Sequence, residues 1–151
     1  MKLFKNNIRI STVLLFTAMF VAFLCPFSAT AAGSGNVQVK IGMQQYTPAL
    51  SSVPGYPFTI SLKNPVGVVI TVTADGGSLE TWNRQTHVVK DVGKTYKIQS
   101  GNTIYWSPTV DGKSVTGKTV LIITAQKAGC ETGRAKITIT ESKTGWYTAK
   151  R

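Results

Sequence analysis

The sequence predicts an all-β protein, an antiparallel β-sandwich behind a secretion signal. Three observations carry this expectation. Short runs of alternating apolar and polar residues, rich in Val, Ile and Thr, recur beyond residue 36. Two-residue alternation is the signature of a strand with one buried face, and β-branched side chains fit a pleated sheet. Gly, Pro, Asn and Asp punctuate the runs at short intervals, and no stretch beyond residue 33 has the spacing of an amphipathic helix. The densest apolar run there, residues 119–140 (TVLIITAQKAGCETGRAKITIT), reads as two strands joined by a Gly-punctuated loop. The rest of the domain is expected to pack around it.

The first 32 of the 151 residues read as a signal peptide. Lys2, Lys5 and Arg9 form a basic start, residues 10–24 are apolar, and Ala29 and Ala31 fit a small-residue cleavage site. The apolar run is short for a membrane span, which takes about 20 residues. Three of the 17 basic residues fall inside the signal, which leaves 14 against 6 acidic ones, a formal charge of +8. That charge favours anionic partners. Cys130 is then the lone remaining cysteine, so no internal disulfide is expected and packing must supply the stability.

The elements follow in order. Gly33-Ser34-Gly35 is a flexible leader, and Val37, Val39 and Ile41 alternate as a first strand over 37–42. Residues 33–57 are otherwise a Pro/Ser/Gly-rich connection, because Pro48, Pro54 and Pro57 do not suit a central strand. The sandwich domain is expected over 58–151. Residues 58–62 (FTISL) alternate cleanly, Asn64-Pro65 breaks the run, and residues 66–74 (VGVVITVTA) form the second strong strand. Asp75-Gly76-Gly77 is a hairpin-type turn, after which residues 78–82 return. Leu79 and Trp82 have opposite parity, which implies a bulge or strand end between them. Residues 83–85 are a polar loop, and 87–91 and 94–98 pair as a hairpin across Val92-Gly93. Thr103–Trp106 is a short aromatic strand, residues 110–117 form a loop, and the 119–140 hairpin follows. Residues 145–149 add a last edge strand.

This order resembles bacterial immunoglobulin-like domains over about residues 58–140. The carrying features are a β-branched strand, a DGG turn, a strand ending near Trp82, the Tyr105-Trp106 strand and a long final hairpin. The inter-sheet disulfide of antibody domains has no counterpart here. The resemblance implies a two-sheet sandwich that binds or spaces; fold alone does not carry function.

No catalytic signature is present. Cys130 and His87 are the sole thiol and imidazole beyond the signal, with Asp91 or Glu80 available to orient the imidazole. Glu131 beside Cys130 would raise a thiol pKa rather than lower it. One His and one Cys close no zinc site, and Asp75 and Asp111 each precede a turn glycine without EF-hand spacing. No enzyme activity, metal or cofactor is expected. Trp82 and Trp106 are expected in the core, and Tyr105 points away from Ile104 and Trp106. Trp146 and Tyr147, near the C-terminus, are the candidates for exposed aromatic contacts. Lys90, Lys94 and Lys97 gather around Gly93, and Lys136 stands on the outward side of the second hairpin strand.

The binding residues expected are therefore Lys90, Lys94, Lys97, Tyr105, Lys136, Trp146 and Tyr147. Cys130 is a candidate for an intermolecular disulfide in a dimer. The expected function is a secreted, non-catalytic binding module for an anionic cell-wall polymer, glycan or membrane surface. No nucleic-acid motif is visible. Two other classes compete: a toxin-like or antimicrobial protein acting on anionic membranes, and a Cys/His hydrolase.

Overall fold

A computed structural model describes residues 37–110 and 112–151. The signal expected over 1–32, the leader Gly33-Ser34-Gly35, Asn36 and Asp111 lie outside the described residues. Among those described, every regular element is a β-strand. In chain order they are β1 (Val37–Ile41), β2 (Gln45–Tyr46), β3 (Tyr56–Leu62), β4 (Val69–Ala74) and β5 (Ser78–Asn83). Then come β6 (Val88–Gly93), β7 (Thr95–Ile98), β8 (Thr103–Ser107), β9 (Thr109–Val110) and β10 (Lys113–Ser114). The long pair β11 (Lys118–Gln126) and β12 (Gly133–Glu141) follows, and β13 (Tyr147–Lys150) ends the series.

These strands form two main antiparallel sheets. One has the order β1-β3-β8-β5-β6, the other β2-β13-β12-β11-β4-β7, and β9 and β10 make a small separate hairpin. Alternation explains which side chains turn inward. In β11, Leu121, Ile123 and Ala125 are buried, and they stand opposite Ala74, Val72 and Ile70 of β4 and beside Ile137 of β12. Phe58, Ile60, Ile104, Trp106 and Leu79 of the other sheet belong to the same apolar cluster. Two sheets sharing one core make a sandwich-like body. Fully burying each Leu, Ile or Phe side chain contributes roughly 1.5–3 kcal/mol.

Several sequence expectations hold. The 119–140 segment is a hairpin at the centre of its sheet. A register shift lies between Leu79 and Glu80, as the parity change in that strand requires. Trp106 is fully buried, and Tyr105 points to the other side of its strand, where its ring is nonetheless covered.

Others are corrected. The turn at residues 75–77 is no hairpin, because β4 and β5 lie in different sheets and the chain crosses the sandwich there. Trp106 draws it across: its Nε1 donates to the Gly76 carbonyl at 2.8 Å. Gly77 has φ +73°, and a Cβ there would collide with the Ser107 carbonyl oxygen and the Trp106 ring. Likewise β6 and β7 do not pair across Gly93; β6 is the edge of one sheet and β7 the edge of the other. Asp91 Oδ1 accepts the Gly93 amide at 2.7 Å, and the Lys94 carbonyl accepts the Ala74 amide at 2.8 Å, so the crossing is held at both ends. The strand expected from Val66 begins at Val69, because residues 65–68 form a turn with Gly67 at φ +71°.

Candidate binding site

The outer face of the six-stranded sheet is the first candidate surface, and register builds it. Outward neighbours run Lys97–Thr71–Thr124–Arg134 across β7, β4, β11 and β12. The next row is Thr95–Thr73–Ile122–Lys136. Further along lie Val120–Thr138–Lys150 and Lys118–Thr140–Thr148. Strands stand about 4.8 Å apart, so three steps across the sheet put Lys97 and Arg134 roughly 14 Å apart at the backbone. Thr95 Oγ1 donates to Thr73 Oγ1 at 3.3 Å, a cross-strand bond that orders part of the threonine array. Ile122 stays 46% exposed, so the face is uncovered.

Among the described residues no Asp or Glu falls in these rows. The carboxylates at the margin are already engaged by backbone. Asp75 Oδ1 accepts the Val120 amide at 2.7 Å, and Glu141 Oε2 accepts the Gly117 amide at 3.1 Å. The result is a hydroxyl-rich, one-sign surface.

A second feature is a cleft of about 560 Å3 at the end of the body where β5 and β7 finish and β8 begins. Trp82, Arg84 and Tyr105 line it from β5, its following turn and β8. Lys97, Gln99 and Asn102 line it from the β7–β8 connection. Trp82 packs edge-on to Tyr105, with ring centroids 5.8 Å apart and planes at 81°. The Arg84 guanidinium sits 5.5 Å from the Trp82 ring centre, within cation–π range, and its Nη2 approaches the Tyr105 hydroxyl at 3.4 Å.

The loop carrying Arg84 is shaped by its own sequence. Asn83 Oδ1 accepts the Gln85 and Thr86 amides at 3.0 and 3.2 Å, an Asx-type turn. His87 closes it at φ +55°, a left-handed conformation uncommon outside glycine.

A buried polar group lies behind this end. Glu80 stands opposite Tyr105 and Asp91, and its Oε2 is buried without a partner. Burial pushes its carboxyl above the usual range; the Ser107 hydroxyl pulls it back, and the Asp91 charge adds to the rise. Tyr46, within reach of the same carboxylate, is raised to about 12 by burial first, then by the charges of Glu80 and Tyr147.

The residues expected to bind separate into three groups. Lys97 and Lys136 share the basic face, and Lys97 and Tyr105 share the cleft. Lys90 and Lys94 are exposed, Lys90 on the edge strand β6 and Lys94 where the chain crosses to β7, and neither stands in the outward rows. Tyr147 is no exposed contact: it is 4% exposed, and its hydroxyl donates to the Val115 carbonyl at 3.1 Å. Tyr105 is likewise 2% exposed and meets the cleft from beneath Trp82. Trp146 is half-buried in the β12–β13 turn. Trp82, expected in the core, is half-buried at its margin. Cys130 was expected to be a lone thiol once residues 1–32 are gone; in the full chain it is disulfide-bonded. Arg84, Arg134, Gln99, Asn102 and the threonines of the face were not foreseen. Alternation in VITVTA and KITIT held the signal for the threonines. Among the described residues no group of three or more His, Cys, Asp and Glu could hold a metal ion.

No protein-family model matches the chain, and no curated protein or solved structure is significantly similar to it.

Proposed function

We propose that this protein is a secreted, non-catalytic binding module that docks an anionic polymer of the cell envelope or extracellular space on its six-stranded sheet. The observation that carries the reading is the basic and threonine-rich outer face, where Lys97, Lys118, Arg134, Lys136 and Lys150 stand in register with hydroxyls. A surface of one sign concentrates opposite charge, and polymer phosphates or carboxylates suit lysine ammonium and arginine guanidinium groups. Threonine hydroxyls between them supply donors and acceptors at strand spacing, which suits a repeating chain more than a compact ligand.

We also read the fold as immunoglobulin-like. The chain order β1, β3, β4, β5, β8, β11, β12 can be lettered A to G. Sheet neighbours β1-β3-β8-β5 then match A-B-E-D, and β12-β11-β4 match G-F-C, the arrangement of the constant-type sandwich. The β6 and β7 edges and β13 are additions to that frame.

The test is to incubate the protein with purified cell wall, anionic vesicles and a glycan panel at low and high salt. Wall or acidic-glycan binding that salt releases, and that Arg134→Glu with Lys136→Glu abolishes, supports the reading. Binding to none of them would sink it, and leakage of the vesicles would assign the face to membrane attack instead.

A further inference from the structure

We propose that the cleft between Trp82 and Asn102 is a second binding site, and that it takes an acidic sugar: a pyranose ring bearing a carboxylate. It adjoins the polymer-binding face and shares Lys97 with it, but Arg134 and Lys136 do not line it.

The aromatic platform comes first. Trp82 is half-buried at the cleft, its orientation constrained by the Tyr105 ring meeting it edge-on, the Arg84 guanidinium over it and the His87 ring 6.4 Å away. The part of this fixed ring that lines the cleft offers a ligand an apolar surface. The C–H side of a pyranose is a shape that stacks on such a face, while its hydroxyls stay with polar groups.

The cation comes second. Arg84 has five N–H donors, of which the Tyr105 hydroxyl takes one at long range. Among the described residues no carboxylate pairs with it. Its loop is pre-shaped by Asn83 and by the left-handed His87, a conformation that costs free energy and recurs at ligand sites. Arg84 is thus a planar donor fork held over an aromatic ring, the geometry that grips a carboxylate in two places. Lys97 adds a second positive charge at the same cleft.

Polar side chains complete the fit. Gln99 and Asn102 bring amides, which both donate and accept and so suit sugar hydroxyls. Their turn is firm: the Asn102 amide donates to the Gln99 carbonyl at 3.2 Å, and the Asn102 carbonyl accepts the Ile60 amide at 3.1 Å. The volume of about 560 Å3 lies within the range of small-ligand sites.

The experiment titrates the protein with a galacturonate trimer, a neutral maltotriose and adenosine monophosphate, measuring affinity by calorimetry and, in the parent, the Trp82 indole N–H by NMR. The expected result is a shift with the galacturonate trimer alone. Its affinity should fall at least about tenfold in Arg84→Gln and in Trp82→Phe, and stay unchanged in Lys113→Glu, an exposed lysine of the small β9–β10 hairpin outside both the cleft and the sheet face, with unaltered melting confirming the fold of each variant. Equal binding of maltotriose, tighter binding of adenosine monophosphate, or full affinity in Arg84→Gln would overturn the proposal. Loss of binding in Lys136→Glu alone would assign the sugar to the sheet face, against the cleft.

Discussion

The hydroxyl of Tyr56 accepts the backbone amide of Ala149 at 3.1 Å, joining β3 of one sheet to β13 of the other. The same hydroxyl lies 3.2 and 3.1 Å from the carbonyls of Met43 and Gln44, to which it donates. One phenol oxygen therefore ties two sheets and the loop between β1 and β2. Its ring stacks on Tyr46 at 5.7 Å and leans on Phe58 at 5.0 Å. Tyr56→Phe keeps those ring contacts and deletes the oxygen alone. Leaving a buried amide without its acceptor costs about 1–3 kcal/mol. Urea unfolding should show a loss of that size, with faster hydrogen exchange at Ala149; an unchanged midpoint would mean that water replaces the hydroxyl.

Gly77→Ala is expected to be among the most damaging single-methyl changes. The new Cβ meets the Ser107 carbonyl and the Trp106 indole, and the backbone there is left-handed. Neither neighbour can retreat, since Ser107 and Trp106 belong to β8 and Trp106 is fully buried. A loss of about 2–4 kcal/mol follows from strain and overpacking together. Gly93→Ala is the control: it too has positive φ, but nothing lies within 4 Å of its added carbon, so the cost should be smaller.

Glu80 gives the protein a pH dependence of known sign. Burial raises its folded-state pKa above the unfolded one. Its favourable contribution is therefore complete below the unfolded value and is lost as pH rises through the folded one. Glu80→Gln removes that loss while leaving an oxygen for the Ser107 hydroxyl. The variant should gain stability over the parent at pH near 7, and the gain should vanish at about pH 3, where both side chains are neutral. Thermal melts across that range decide it; a gain of equal size at both ends would point to packing instead of charge.

At the alkaline end Tyr46 takes over. Its phenol is raised from 10.0 to about 12, and Tyr56 and Tyr147 are raised as well, each mainly by burial. Unfolded chains lose these protons first, so stability should fall as pH climbs from 10 towards 12. Ultraviolet titration should show phenolate appearing together with loss of structure. In Tyr46→Phe the fall should be shallower, and an identical alkaline profile would rule Tyr46 out as its source.

Local alternation made the strands legible, and it left their assembly open. Phe58, Ile60, Leu121 and Ile123 announce buried faces by their spacing, and the hairpin of β11 and β12 followed directly. Which sheet a strand joins was not legible. Gly77 and Gly93 look like hairpin glycines, because positive φ serves a hairpin and a crossing equally well. The decision falls to Leu79, which pairs with Trp106 in a strand 27 positions later, a contact no local pattern reports. Tyr147 looked free because it lies close to the C-terminus, yet the T-shaped packing with Trp106 at 5.2 Å claims it for the core. The charged rows across the sheet were hidden for the same reason. Lys97 and Arg134 become row-mates through the register of four strands, and each alone reads as a soluble surface residue.

Arg151 reaches back to the first strand. Arg151 Nη2 donates to the Val37 carbonyl at 2.7 Å, so the start of β1 and the end of β13 sit side by side. A body with residues 37 and 151 at one pole hangs from that pole like a pendant, where a bead on a string would have them on opposite sides. Joined into a larger polypeptide, it would turn the same sheet face outward whichever end held the tether. Linking residue 151 to residue 37 and opening the chain at residues 127–130 should yield a circularly permuted form with the same sheets.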